Sequence, residues 1–190
     1  MNIVIFGPPG AGKGTQSNFI VKKFQLHQLS TGELLRKEIK EKTVLGQQIE
    51  TIMNSGNLVS DNIVSDLIEN YISDDVYKNR LIFDGYPRNL IQVKNLNHLL
   101  KKYNQKIDLV LKLSVSLNTI KKRISERKTL EKRKDDNETI AIKRYEMYEK
   151  NIKPVIEFYK QSNLLNVVNG EKPISEISDE ISGLIVGFKG

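Results

Sequence analysis

Nine residues near the start of the chain, Gly7-Pro8-Pro9-Gly10-Ala11-Gly12-Lys13-Gly14-Thr15, join small side chains to a single lysine. Such a run suits the holding of a polyphosphate. Backbone N–H groups close around phosphate oxygens only where no side chain intervenes, and the N-terminus of a following helix adds partial positive charge. Gly10, Ala11, Gly12, Gly14 and Thr15 would line the cradle, and Lys13 would reach the β- and γ-phosphates. The general pattern places Ser or Thr directly after the lysine; here Gly14 intervenes, so the hydroxyl able to assist a metal ion falls on Thr15.

A second constellation, Leu81-Ile82-Phe83-Asp84-Gly85-Tyr86-Pro87-Arg88-Asn89-Leu90-Ile91-Gln92, carries a carboxylate at the end of an apolar run. Beside a phosphate loop, Asp84 could hold the hydration shell of Mg²⁺. Asp-Gly is also an ordinary turn pair. Arg88 offers a planar fork that matches a phosphate, and Gln92 an amide that can both accept from and donate to a base. In Leu29-Ser30-Thr31-Gly32-Glu33-Leu34-Leu35-Arg36, Ser30 and Glu33 form a capping box; taken alone, Arg36 is then a surface charge. Arg123 and Arg127 stand four apart on one helical face, with Arg133 and Arg144 further on. Most lysines of this stretch belong to a solvated surface, but four arginines brought to one place would repel each other without an anion between them.

These groups must be positioned by alternating elements. Ile3 to Phe6 is an apolar, β-branched strand, and Lys13 to Phe24 has helical spacing with Phe19, Ile20 and Phe24 inward. Similar short runs return at Leu81 to Phe83, Leu109 to Leu111 and Leu164 to Val168, with a weaker one at Leu26 to Ser30. Strands alternating with helices predict a mostly parallel sheet of about five strands covered by helices on both faces. Between Thr31 and Ile72 the pattern is helical, with breaks expected at Gly46, Gly56 and across 54–57. The polar stretch Lys128 to Lys132 reads as a short exposed connector.

Length and composition fit one soluble globular unit: 190 residues, 38% hydrophobic and 28% charged. The net charge of +7 raises the prospect of a nucleic-acid or acidic-membrane partner. Its distribution speaks against both, because residues 121–144 hold ten Lys/Arg against five Asp/Glu and the rest of the chain is close to neutral. With no cysteine, a disulfide framework, a thiolate zinc site and a catalytic thiol are excluded. Met1 to Phe6 is too short for a signal h-region, and no run approaches the roughly 20 apolar residues of a span, so a cytoplasmic protein is expected.

The form Gly12-Lys13-Gly14-Thr15 resembles that of adenylate kinases, and the resemblance extends in order over essentially the whole chain. It implies a phosphate-loop α/β fold with MgATP and AMP as substrates, ADP as product and no zinc. On the ATP side it implies Gly10 to Thr15, Arg123, Arg127, and the turn Asn169-Gly170-Glu171-Lys172-Pro173, with Gly170 and Lys172 near the adenine. Asp84 would bind Mg²⁺ through water, with Thr15 as a second candidate. For AMP it implies Thr31, Gly32, Arg36, Gly56, Val59, Gly85, Arg88, Gln92, Arg133 and Arg144, with Thr31 and Gln92 facing the base and Arg88 on the α-phosphate. Lys13, Arg88, Arg123, Arg133 and Arg144 would be the catalytic set. Asn57 departs from the Lys or Glu usual in the family.

Only five residues separate Arg127 from Arg133, which corresponds to the short-lid form. The implied division is a core of 1–30, 73–127 and 133–190, an AMP-binding helical part at 31–72 and a lid at 128–132. A monomer without nucleic-acid or membrane partners is expected. Two alternatives stand beside this reading: a kinase for another monophosphate such as UMP or CMP, whose enzymes tend to differ at Thr31 and Gln92, and a nucleotide-dependent nucleic-acid-binding module.

Overall fold

A computed structural model of the chain describes residues 1–131 and 138–189, without the side chains of 127–131, 138 and 189. Five strands form the sheet: β1 (Ile3–Phe6), β2 (His27–Ser30), β3 (Leu81–Asp84), β4 (Leu109–Ser114) and β5 (Leu165–Asn169). Every pairing is parallel, in the order β2-β3-β1-β4-β5. All five apolar runs of the sequence are therefore strands, the weaker Leu26 to Ser30 included.

Because successive side chains leave a strand on opposite faces, β1 feeds two cores. Ile3 and Ile5 join Ile82, Leu109 and Leu111 beneath α1 (Lys13–Phe24) and α8 (Ile174–Lys189), which contribute Ile20, Ile177, Ile181 and Ile185. Val4 and Phe6 join Leu29, Phe83 and Val110 on the other face. That face is covered by α2 (Thr31–Lys40), α3 (Val44–Asn54), α4 (Asp61–Ile72), α5 (Leu90–Lys102) and α7 (Glu138–Gln161). Burial on both sides explains why the inner strands β1 and β3, and most of β4, read as continuous apolar runs rather than alternating ones. In register, Ile5 lies opposite Asp84 on one side and Leu111 on the other. The loop after β1 thus opens at the carboxyl edge between β3 and β4, where strand order reverses and open α/β sheets bind ligands.

Two boundaries differ from the sequence expectation. The helical stretch breaks at 41–43, between α2 and α3, rather than at Gly46. Lys42 takes a left-handed φ of 53°, and the Thr43 hydroxyl caps α3 by accepting the Gly46 N–H at 2.9 Å. Gly46 lies inside the first turn of α3, and its lack of a side chain serves packing: a Cβ there would overlap the backbone carbonyl of Glu38 on α2. Gly46→Ala should force the helix pair apart and cost about 1–3 kcal/mol. A urea unfolding midpoint indistinguishable from that of the parent would disprove that packing role. The second difference is α6, which runs Leu117–Glu131 and so includes most of the expected connector. Ile120 and Ile124 bury one face of the helix against Ala141 of α7, and the Lys, Leu and Glu residues that follow are strong helix formers that carry it on to Glu131.

Candidate active site

The phosphate-loop residues follow β1 directly and end at the first turn of α1. Gly10 and Gly12 adopt left-handed φ angles of 83° and 92°, open to glycine at little cost. The turn closes with the Ala11 N–H donating to the Pro8 carbonyl at 3.0 Å. Lys13 is the first residue of α1, and its ammonium donates to the carbonyls of Gly7 at 2.8 Å and Pro8 at 3.2 Å. The cation thus stands against the loop that the sequence assigned to it. Thr15, two residues further, is exposed.

Arg123, from α6, fastens this loop to the turn after β5. Its guanidinium donates to the Ala11 carbonyl at 3.3 Å and the Gly170 carbonyl at 2.9 Å. Beside that turn, Ser114, Val115, Ser116, Val167, Asn169 and Glu171 line a hollow at the carboxyl ends of β4 and β5. Hydrogen bonds from Ser116 and then Thr119 hold the Glu171 carboxyl below the usual carboxylate range. Lys172 is directed elsewhere: its ammonium pairs with Glu180 of α8 at 2.9 Å, which raises its pKa.

A second cluster gathers at the carboxyl end of β3. The Asp84 carboxylate is buried and accepts a hydrogen bond from the Gln28 side-chain amide at 3.0 Å. The Arg88 Nε–H donates to the Gly85 carbonyl at 2.6 Å, and the Thr31 hydroxyl donates to the same oxygen at 3.1 Å. Gly85 has a φ of 78°, and a Cβ on it would stand 3.0 Å from the Thr31 hydroxyl and 3.1 Å from the Arg88 guanidinium. Glycine is thus required there both by its backbone and by the closeness of its neighbours.

Burial first, and then the positive charges of Arg144 and Arg36, push the Arg88 guanidinium below its ordinary pKa, with the Asp84 carboxylate opposing them. Three arginines from α2, the β3–α5 loop and α7 therefore share one place. Arg36 folds back over Gly32, within 3.2 Å of where a Cβ would stand. Gly56 meets α7, its own Cβ position lying 3.0 Å from Ile140 and 3.8 Å from Arg144, while Val59 is buried. Gln92 is also buried; its oxygen accepts the Arg88 N–H at 2.7 Å and its nitrogen donates to Asp61 at 2.6 Å.

Of the remaining residues marked in the sequence, Arg127 lies on α6 but its side chain is among those not described, and Arg133 is outside the described residues. Lys13, Arg88, Arg123 and Arg144 belong to the loop, to the β3 cluster, or to the contact between loop and β5 turn. Three polar residues given no role by sequence reasoning also enter the site: Gln28 on Asp84, and Asp61 and Asn89 around Gln92. Only their position next to marked residues could have signalled them.

A five-stranded parallel sheet with a lysine-bearing glycine loop after its central strand, and an arginine cluster one strand away, defines a phosphate-loop nucleotide-binding protein. Residues 5–164 match the family model described as adenylate kinase. The chain is 43% identical to an adenylate kinase of Pelagibacter ubique, over 97% of this chain and 99% of that protein. It is 42% identical to one of Prochlorococcus marinus, over 95% and 96%, and 37% identical to one of Porphyromonas gingivalis, over 100% and 97%. The first alignment extends over 211 positions, more than this chain has residues, so that relative carries an insertion which this chain lacks. The chain belongs to the adenylate kinase family.

Proposed function

We infer that this protein catalyses the reversible transfer of a phosphoryl group from MgATP to AMP, giving two molecules of ADP. The observation that carries this reading is the gathering of Arg36, Arg88 and Arg144 beside Asp84, one strand from the loop that holds Lys13. Two anion sites set side by side suit two phosphorylated reactants. A single nucleotide tail would need only the loop.

Transfer between phosphates demands little covalent chemistry from a protein, because the accepting phosphate is already an anionic nucleophile. What remains is alignment and stabilisation of charge. In this reading the amides of Gly10 to Thr15 hold the ATP phosphates, with Lys13 on their outer oxygens and Arg123 and Arg127 alongside. Arg88 and Arg36 grip the AMP phosphate, Arg133 and Arg144 bridge the two, and Thr31, Val59 and Gln92 receive the adenine. The turn at Gly170 and Lys172 meets the ATP adenine through its backbone, a role that leaves the Lys172 ammonium free to pair with Glu180.

Asp84 fits a role toward Mg²⁺, since a buried carboxylate and the Thr15 hydroxyl are hard oxygen donors, and this ion commonly takes one or two protein ligands, with phosphate and water oxygens completing its shell. Bound with ATP, the ion would neutralise charge on the β- and γ-phosphates. Residues 31–72 serve as the AMP-binding part and 128–132 as a short lid, and their closure would exclude water from the reacting phosphates. The active form is taken as a cytoplasmic monomer without nucleic-acid partners. Among the described residues no helix is long and apolar enough to cross a membrane.

A monophosphate panel tests this reading. With ATP and Mg²⁺, ADP should form rapidly with AMP and far more slowly with UMP or CMP, and excess chelator should abolish the reaction. Faster transfer to UMP or CMP would reassign the substrate. Salt-sensitive binding to a polynucleotide without any AMP-dependent transfer would favour a nucleic-acid module instead.

A further inference from the structure

Asp61 opens α4, and its carboxylate receives two side-chain amides from the other side of the site. The Asn89 amide nitrogen lies 3.3 and 3.1 Å from its two oxygens, and the Gln92 amide nitrogen 2.6 Å from one of them. The other ends of those amides are fixed as well. The Asn89 oxygen caps α5 by accepting the Gln92 N–H at 2.8 Å, and the Gln92 side-chain oxygen accepts the Arg88 N–H at 2.7 Å.

We propose that Asp61 is a specificity-determining positioning residue, whose carboxylate fixes the Gln92 amide in the one orientation that matches a 6-aminopurine. This deepens the AMP reading given above and rests on it. An ionised carboxylate only accepts and a backbone N–H only donates, so Gln92 must turn its nitrogen to Asp61 and its oxygen to Arg88. Each end then keeps one spare capacity, a second hydrogen on nitrogen and a second lone pair on oxygen. Adenine presents the complement, a ring-nitrogen acceptor beside an amino donor. A 6-oxopurine presents the reverse, a ring N–H beside a carbonyl, and needs the amide turned over.

Turning it over would set the Gln92 oxygen against the Asp61 carboxylate and its nitrogen against the Arg88 N–H. Gln92 is only 3% exposed, so water cannot repair either mismatch. Asn in place of Asp61 would bring one acceptor and one NH₂ group to two amide nitrogens. Oδ1 of Asp61 takes both amides and Oδ2 takes only Asn89, whose own oxygen is held as the cap of α5. An Asn that keeps its oxygen at the Oδ2 place to satisfy Asn89 sets its NH₂ group against the Gln92 nitrogen, and Gln92 turns over in that part of the population.

The test is the ratio of kcat/KM for AMP to that for IMP, which differ at the purine 6-position and its neighbouring ring nitrogen, measured on the parent and on Asp61→Asn. The ratio should fall by at least about tenfold, the value of one buried hydrogen bond to a charged group. Assaying both substrates on one preparation makes any loss of folded protein divide out. Asp61→Ser, whose hydroxyl both donates and accepts, is the second variant should Asp61→Asn fail to fold. A ratio that falls by less than about threefold in the folded variant, however much both rates drop together, would reduce Asp61 to a structural support for α4 and overturn the proposal. A parent protein that forms no ADP from AMP would instead overturn the reading of the site itself.

Discussion

Lys13→Ala should lower turnover with MgATP and AMP at least about 100-fold, a loss of about 3 kcal/mol of transition-state stabilisation. Lys13 begins α1 and holds its ammonium against the Gly7 and Pro8 carbonyls, inside the loop proposed to hold the ATP phosphates. No other lysine stands in the loop run 7–15. On the proposed placement of ATP, negative charge on the transferring group would develop within reach of this cation, so the effect should fall on kcat rather than on affinity alone. Unchanged ADP formation would remove Lys13 from the reacting centre.

Arg88→Ala should be of similar size but of different character. The guanidinium is anchored by its Nε–H on Gly85, near enough to Arg144 and Arg36 for their charges to act on it. Its removal should cut kcat/KM for AMP at least about 100-fold while the KM for ATP changes little, because the loop side of the site stays whole. Arg88→Lys should restore only part of the loss, since an ammonium cannot grip a phosphate with two parallel hydrogen bonds. Removing one of three neighbouring positive charges also relieves repulsion, so the activity loss should come without matching loss of thermal stability. AMP kinetics left unaltered by Arg88→Ala would detach this residue from the monophosphate.

The legible part of this molecule is the part fixed by short stretches of chain. Ile3 to Thr15 reads as strand, loop and helix start from residue types alone, because a buried parallel strand must be apolar throughout and a phosphate loop must be small. Asp84 and Arg88 are legible for the same reason, lying at the end of an apolar run. What escapes local reading is set by tertiary contact. Gly46 signals a helix break in sequence, yet in the fold it serves the crossing of α2 and α3, while the break falls on Lys42 with an unfavoured φ. The ammonium of Lys172 is drawn to Glu180, on a helix the turn itself does not predict.

Asp61 shows the same limit within the site. Its neighbour Gln92 is 31 residues away, and no spacing rule links a helix start to an amide on another helix. The reach of α6 to Glu131 escapes for a different reason: past Ile124, the last buried apolar residue described on the helix, the polar run Lys128-Thr129-Leu130-Glu131 offers no apolar period, although most of its residues are strong helix formers.

The central claim is that two anion sites side by side pass a phosphoryl group directly from one nucleotide to the other. Following ATP labelled on its γ-phosphate tests it most directly. With unlabelled AMP and Mg²⁺ present, the label should move into the β-position of ADP in step with AMP consumption, and ADP alone should regenerate ATP and AMP. Label released as inorganic phosphate at a rate indifferent to AMP would contradict it.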